Sequence, residues 1–190
     1  MRFLLESHAV PDVCSICTCT PGGQEVDCRF LNLTSVPQNI GQNVSALVLS
    51  NNAIVKIENG SFANLPRLWR LDLSNNAIVK IENGWLPNLP NLEELYLSNN
   101  AIEKIENGWL PNLPNLRELD LSNNAIEKIE NGSFANLPNL EYIDLSHNAI
   151  GKIENGSFAN LPNLRGFRMP QKLKVQIVAF IVSTAVHAFL

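Results

Sequence analysis

A single period organises this chain. Asn52, Asn76, Asn100, Asn124 and Asn148 recur every 24 residues, each inside a near copy of L-x-x-L-x-L-S-N-N-A-I. In the same frame run Leu49, Leu73, Leu97, Leu121 and Leu145, then Ile54, Ile78, Ile102, Ile126 and Ile150, with Leu71, Leu95 and Leu119 beside them. A unit this short cannot bury its own apolar residues. Units of this length stack, so that each completes the core of the next and the array offers a long outer surface.

The stretch Leu92 to Asn115 illustrates one unit. The spacing Leu95–Tyr96–Leu97 is that of a strand, with Leu inward and Tyr outward. Stacked strands of this kind form a parallel sheet with neighbours ~4.8 Å apart. Asn100 follows at the bend. Its carboxamide both donates and accepts, so it can satisfy main-chain groups of its own turn and of the adjacent repeat. The asparagine column therefore reads as scaffold rather than as a site. Ile102 and Ile105 point inward, and Asn107-Gly108 makes a tight turn. Leu110 and Leu113 close the coil, where other repeats place Phe62, Phe134 or Phe158 with Leu65, Leu137 or Leu161. Pro66, Pro90, Pro114, Pro138 and Pro162 recur on the return leg, and proline there forbids a long helix.

All four cysteines, Cys14, Cys17, Cys19 and Cys28, precede the repeats. So dense a cluster reads as a local staple. The rival is a zinc knuckle, because Cys14-x2-Cys17 has ligand spacing. Glycosylation sequons occur at Asn32, Asn43, Asn59, Asn131 and Asn155. Cysteines and sequons together favour an oxidising, secreted setting. Three sequons are copies of one Asn-Gly-Ser turn, so duplication multiplies them without selection for sugars. The net charge of -4, without a basic block, sets nucleic-acid binding aside. A length of 190 residues with 45% hydrophobic content fits one solenoid with a head and a tail. Met1-Arg2-Phe3-Leu4-Leu5 begins as a signal peptide does, but Glu6, Ser7 and His8 end the apolar run early.

These residues resemble the leucine-rich repeat family in its 24-residue extracellular animal form. The likeness covers five full repeats, from about Val44 to Asn163, and fades from Leu164. Upstream, Cys14-x2-Cys17-x-Cys19-x8-Cys28, followed by Leu31-Asn32-Leu33-Thr34-Ser35-Val36-Pro37, is similar to the cysteine-rich N-terminal cap of that family, in its variable-lymphocyte-receptor or adhesion-receptor type. The resemblance implies the pairing Cys14–Cys19 and Cys17–Cys28, where sequence alone allows three connectivities. The fold class expected is an α/β-type leucine-rich repeat solenoid, with short parallel strands on the concave face and irregular loops on the convex face. The expected division is 1–13 leader or disordered N-terminus, 14–43 cap, 44–163 repeats, 164–174 degenerate repeat or linker, and 175–190 hydrophobic tail. The chain departs from the family after the repeats. The cysteine-rich C-terminal cap is absent, and Lys172 stands at the next ladder position.

The resemblance implies an extracellular or cell-surface module that binds a protein ligand on the concave face, in adhesion, reception or immune-type recognition. The outward strand positions supply the candidates: Trp69, Arg70, Asp72, Glu94, Tyr96, Arg117, Glu118, Asp120, Tyr142 and Asp144. Trp, Tyr and Arg are enriched at binding hot spots. The carboxylates suit a partner with a basic patch. The competing readings are a solvated face on a matrix or spacer protein without a dedicated ligand, or a truncated receptor fragment. Repeats two and three carry Asn83-Gly84-Trp85 and Asn107-Gly108-Trp109 where the others carry a sequon. Each Trp either packs on its neighbour, the favoured reading because packed Trp is ordinary, or Trp85 and Trp109 form a lateral contact patch between sugars. Lys56, Lys80, Lys104, Lys128 and Lys152, beside a column of glutamates, read as a solvated flank.

His8, His147 and His187 are scattered, and no nucleophile elbow, P-loop or His-x-x-x-His spacing occurs. The expectation is a protein without catalysis, cofactor or metal site. Val175 to Leu190 is mostly apolar and as a helix would run ~24 Å, against a hydrocarbon core of ~30 Å. Membrane attachment, as a span or a cleaved lipid-anchor signal, is placed first because Lys172 and Lys174 flank the segment. The alternatives are a lid over the last repeat, or a truncated or frameshifted end. Nothing in the sequence speaks to oligomeric state.

Overall fold

The computed structural model describes residues 12–81, 84–135, 137–170 and 173. Residues 1–11 of the expected leader, 1–13, and the whole expected tail, 175–190, lie outside the described residues. A 3₁₀ turn, Val13–Ser15, opens the cap. Strands β1 (Thr18–Cys19), β2 (Glu25–Asp27), β3 (Ala46–Val48), β4 (Arg70–Asp72) and β5 (Glu94–Tyr96) follow, then β6 (Lys104–Ile105), β7 (Glu118–Asp120), β8 (Lys128–Ile129), β9 (Tyr142–Asp144), β10 (Lys152–Ile153) and β11 (Gly166–Arg168).

The main sheet runs β1-β2-β3-β4-β5-β7-β9-β11, with β1 antiparallel to β2 and every later pair parallel. Leu47, Leu71, Leu95, Leu119, Ile143 and Phe167 are partners across it. The first five of these are at most 2% exposed. Strands β4, β5, β7 and β9 are three residues long because each repeat has one inward residue there, flanked by two that face out. A one-residue slip in any coil would turn that residue to solvent, so the apolar column sets the register.

The ladder asparagines hold the coils together. Asn100 Nδ2 donates to the Leu73 and Leu97 carbonyls at 3.0 Å each, and its Oδ1 accepts from Ile78 N–H at 3.0 Å. Asn76, Asn124 and Asn148 make the same three bonds. At the first coil Asn52 accepts from Leu31 and Leu33 and donates to the Cys28 carbonyl, so it ties the cap to the repeats. The residue before each ladder position is left-handed: Asn51, Asn75, Asn99, Asn123 and His147 have φ between 52° and 58°. Asparagine and histidine are among the side chains that tolerate that region. His147 is thus a turn residue.

The return leg holds two features beyond the sequence reading. Strands β6, β8 and β10 form a second parallel sheet, with Lys104, Lys128 and Lys152 in register. Ile105 and Ile129 point into the core beneath it. The prolines stand further along the leg and do not interrupt it. Lys128 bridges Glu154 at 2.9 Å and Glu130 at 3.2 Å. The bond from Lys128 also holds the Glu154 carboxyl below its ordinary pKa. A second asparagine column also appears: Asn91, Asn115, Asn139 and Asn163 donate to the carbonyls of Pro66, Pro90, Pro114 and Pro138 at 2.6–3.0 Å.

In the cap, Cys14 is bonded to Cys19 and Cys17 to Cys28, and no cysteine is free. The zinc-knuckle alternative is overturned, because no thiolate remains to ligate a metal. Cys28 is fully buried and Cys17 nearly so. Replacing both with alanine is expected to cost about 3 kcal/mol, the chain-entropy value for a loop this size. Urea denaturation of the Cys17→Ala/Cys28→Ala variant, read by circular dichroism, checks it. At the far end β11 continues the sheet in register with β9, inside the segment expected as a degenerate repeat or linker. Met169 and Leu173 are buried there. Phe158, Leu161 and Leu164 are only partly buried, unlike Phe134, Leu137 and Leu140 one coil earlier.

Candidate functional site

The outward residues of the main sheet form aligned columns. Ala46, Arg70, Glu94, Glu118, Tyr142 and Gly166 make one, and Val48, Asp72, Tyr96, Asp120, Asp144 and Arg168 make the next. Trp69, Glu93, Arg117, Glu141 and Arg165 precede their strands and give a third, linked by main-chain bonds from coil to coil.

Arg70, Glu94 and Tyr96 form one cluster. Arg70 meets Glu94 at 2.9 Å, Tyr96 Oη donates to the same carboxylate at 3.0 Å, and the Arg70 guanidinium lies 4.8 Å from the centre of the Tyr96 ring. Burial first, and the bond to Glu94 second, push the Tyr96 phenol above its ordinary range. The three side chains hold one another in place, which lowers the entropy lost when a partner docks. Arg117 lies midway between Glu93 and Glu141, 4.0 Å from each, and Arg165 approaches Glu141 at 3.8 Å. Arg168 reaches Asp144 at 3.4 Å. Asp72, Asp120 and Asp144 each turn one carboxylate oxygen back to the N–H of Ser74, Ser122 or Ser146, at 2.8–3.0 Å. These aspartates thus have a structural task as well as a surface position.

Trp69 and Tyr142 are the exposed aromatics of the face, at 37% and 54%. The Tyr142 ring lies over Gly166, where a Cβ would collide with it. Glu118, half-buried, stands between Glu94 and Tyr142 in its column. From Trp69 to Arg168 the face sets seven carboxylates against Arg70, Arg117, Arg165 and Arg168. The structure thus brings all ten sequence-predicted binding residues onto one surface. Arg165 and Arg168 were missed; extending the frame one repeat past Glu141 and Asp144 reaches both positions.

The lateral patch does not exist as an exposed surface. Trp85 and Trp109 are each 1% exposed. Trp85 Nε1 donates to the Trp109 carbonyl at 2.8 Å, and Trp109 Nε1 to the Ser133 carbonyl at 2.9 Å. Their rings meet Phe62 and Phe134 edge-on at 6.2 and 6.1 Å. A large ring with one N–H is stable inside once that N–H finds an acceptor, and the next coil presents one.

Models of the leucine-rich repeat match residues 29–78, 70–126 and 114–169. The chain belongs to the leucine-rich repeat family. Leucine-rich repeat-containing protein 26 of Homo sapiens is 38% identical over 66 residues, 35% of this chain and 20% of that protein. Peroxidasin homolog pxn-1 of Caenorhabditis elegans is 40% identical over 52 residues, 27% of this chain and 4% of that protein. The chain therefore spans a small part of either relative. Among solved structures, the TLR13-ssRNA13 complex matches with a TM-score of 0.69 and 32% identity, over 73% of this chain and 20% of that one. The octameric complex of Latrophilin 3, Unc5D and FLRT2, the last contributing its leucine-rich repeats, matches with a TM-score of 0.64 and 30% identity, over 72% and 42%.

As a leucine-rich repeat chain, this molecule has one broad face whose outward residues differ from coil to coil over a nearly invariant interior. Among the described residues no group of three or more His, Cys, Asp and Glu side chains could hold a metal, and no helix is long and apolar enough to cross a membrane.

Proposed function

We propose that this chain is an extracellular or cell-surface protein-binding module, of the receptor or adhesion type, that takes a protein ligand on the main-sheet face. The observation that carries this reading is the face itself. Trp69 and Tyr142 stand exposed on either side of the braced Arg70–Glu94–Tyr96 cluster. Large aromatics beside a pre-positioned arginine are what binding hot spots are made of. The disulfide-bonded cap supports an oxidising location. The leucine-rich repeats of FLRT2, in a complex with other proteins, support a protein ligand. The excess of carboxylates favours a partner with a basic patch. It disfavours nucleic acid, whose phosphates bind through neutralisation by Lys and Arg. The module acts by recognition, without catalysis or cofactor.

The test is a partner screen with the folded chain, repeated with Trp69→Ala, Tyr96→Ala and Tyr142→Ala. Each substitution is expected to weaken binding by tenfold or more, as about 2 kcal/mol per hot spot requires. The thermal transition should stay close to wild type for Trp69→Ala and Tyr142→Ala. Undiminished binding by all three variants would favour the spacer reading, in which the face is only solvated.

A further inference from the structure

We propose that Asn32, Asn43, Asn59, Asn131 and Asn155 carry N-linked sugars, and that those at Asn131 and Asn155 are added before the coils close. The proposal rests on the extracellular reading above. All five asparagines are exposed. None lies on the main-sheet face: Asn32 follows β2, Asn43 precedes β3, and Asn59, Asn131 and Asn155 lie on the return turns. Five bulky, solubilising groups would clothe the flanks and the return side. They would leave the face of Trp69, Tyr96 and Tyr142 as the approach open to a partner.

The hydroxyls that complete the sequons differ in burial: Thr34 is exposed, Ser45 and Ser61 are half-buried, and Ser133 and Ser157 are buried. Ser133 and Ser157 are 4% and 0% exposed. Ser133 Oγ donates to the carbonyls of Glu130 at 2.8 Å and Ile105 at 3.1 Å. Ser157 Oγ donates to Glu154 at 2.6 Å and Glu130 at 2.8 Å. In the folded coil a transferase cannot reach either hydroxyl, although the asparagine two residues earlier is in solvent. Thr34 is exposed, so the sequon of Asn32 stays readable after folding. The same bonds explain why serine recurs in these turns with or without sugar. They also mean that Ser→Ala would confuse lost modification with lost stability, whereas Asn→Gln separates them.

The chemistry needs a lipid-linked oligosaccharyl diphosphate as donor. The Asn Nδ2 attacks C1 of the first sugar and a C–N bond forms. The bond from C1 to the phosphate oxygen breaks, and the lipid diphosphate leaves as the amide proton is lost.

The experiment is cell-free translation of the chain behind an added secretion leader, in the presence of microsomes, followed by protease protection and amide-glycan release. The expected result is a protected chain with five discrete mass steps, one removed by each of the five Asn→Gln substitutions, and a site whose substitution removes no step is struck from the proposal. A protected chain without any mass step overturns the proposal while leaving the protein-binding reading intact, because the binding assay uses the bare chain. A second arm offers the already folded, unglycosylated chain to solubilised transferase and donor. Modification at Asn32 without modification at Asn131 or Asn155 supports the order of events. Efficient modification of folded Asn131 or Asn155 overturns it.

Discussion

Trp109→Ser destabilises the solenoid by about 3–5 kcal/mol, the range for removing a buried aromatic, and adding Leu110→Phe in the same chain restores most of that loss. The Asn-Gly turn comes in two versions. In repeats one, four and five it continues Ser-Phe, and in repeats two and three Trp-Leu. In the first version the serine hydroxyl satisfies carbonyls of the coil, and the following Phe134 fills the core, stacked on Phe158 at 5.1 Å. In the second, Trp109 does both tasks. Its ring is buried, its N–H is bonded to Ser133 O, and Leu110 fills what space remains. The aromatic has moved one residue along the chain without leaving the core. Serine alone therefore leaves a cavity, while Ser-Phe rebuilds the packing of the neighbouring repeat. Thermal unfolding reads the outcome. A loss of roughly 10 °C is expected for the single variant at roughly 2–4 °C per kcal/mol, with most of it regained in the double. A double variant no more stable than the single would show that the two versions are not interchangeable solutions of one packing problem.

Asn100→Asp is the other large effect. The substitution keeps an oxygen for Ile78 N–H but removes both donors to Leu73 and Leu97. Each of these carbonyls keeps one donor, Leu73 from Asn76 and Leu97 from Asn124, but a carboxylate is now forced against both oxygens. A loss of about 3–5 kcal/mol follows from a charge held inside the structure without a compensating partner. The carboxyl's pKa is raised in the folded state, since protonation returns a donor. The deficit is therefore greatest above the folded pKa and shrinks as pH falls through it toward the unfolded value. Asn115→Ala is the contrast. Its bond to Pro90 is on the exposed return side, and its loss should cost about 1 kcal/mol. Denaturant unfolding of both variants at neutral and acidic pH checks the pair. Equal losses at Asn100 and Asn115 would mean that the ladder has no special weight.

The legible parts of the fold were those in which one residue has one environment repeated many times. Leu95 and Asn100 each recur in register, so pattern alone gave their direction and task. The second sheet was not legible, because Lys104–Ile105 is too short a run to carry a period-two signal. The Asn91 column was in plain frame beside the prolines. Its bond joins positions 25 apart in the chain, from Asn91 to Pro66, and only stacking brings them together. Trp85 and Trp109 were ambiguous because loss of a sequon looks the same whether the new ring faces solvent or core. The candidate site was legible as a surface, since outward positions follow from inward ones. The Arg70–Glu94–Tyr96 cluster was not, because it depends on side-chain directions across two strands.

By itself the sequence determined the repeat, its inward columns and therefore the solenoid, since a 24-residue unit with one apolar stripe can be buried only by its copies. Tertiary structure alone decided where each exceptional side chain went. A tryptophan's N–H needs an acceptor, which only the adjacent coil places within reach at Trp109 O and Ser133 O. An arginine's direction on the face depends on which carboxylate the neighbouring strand sets opposite it.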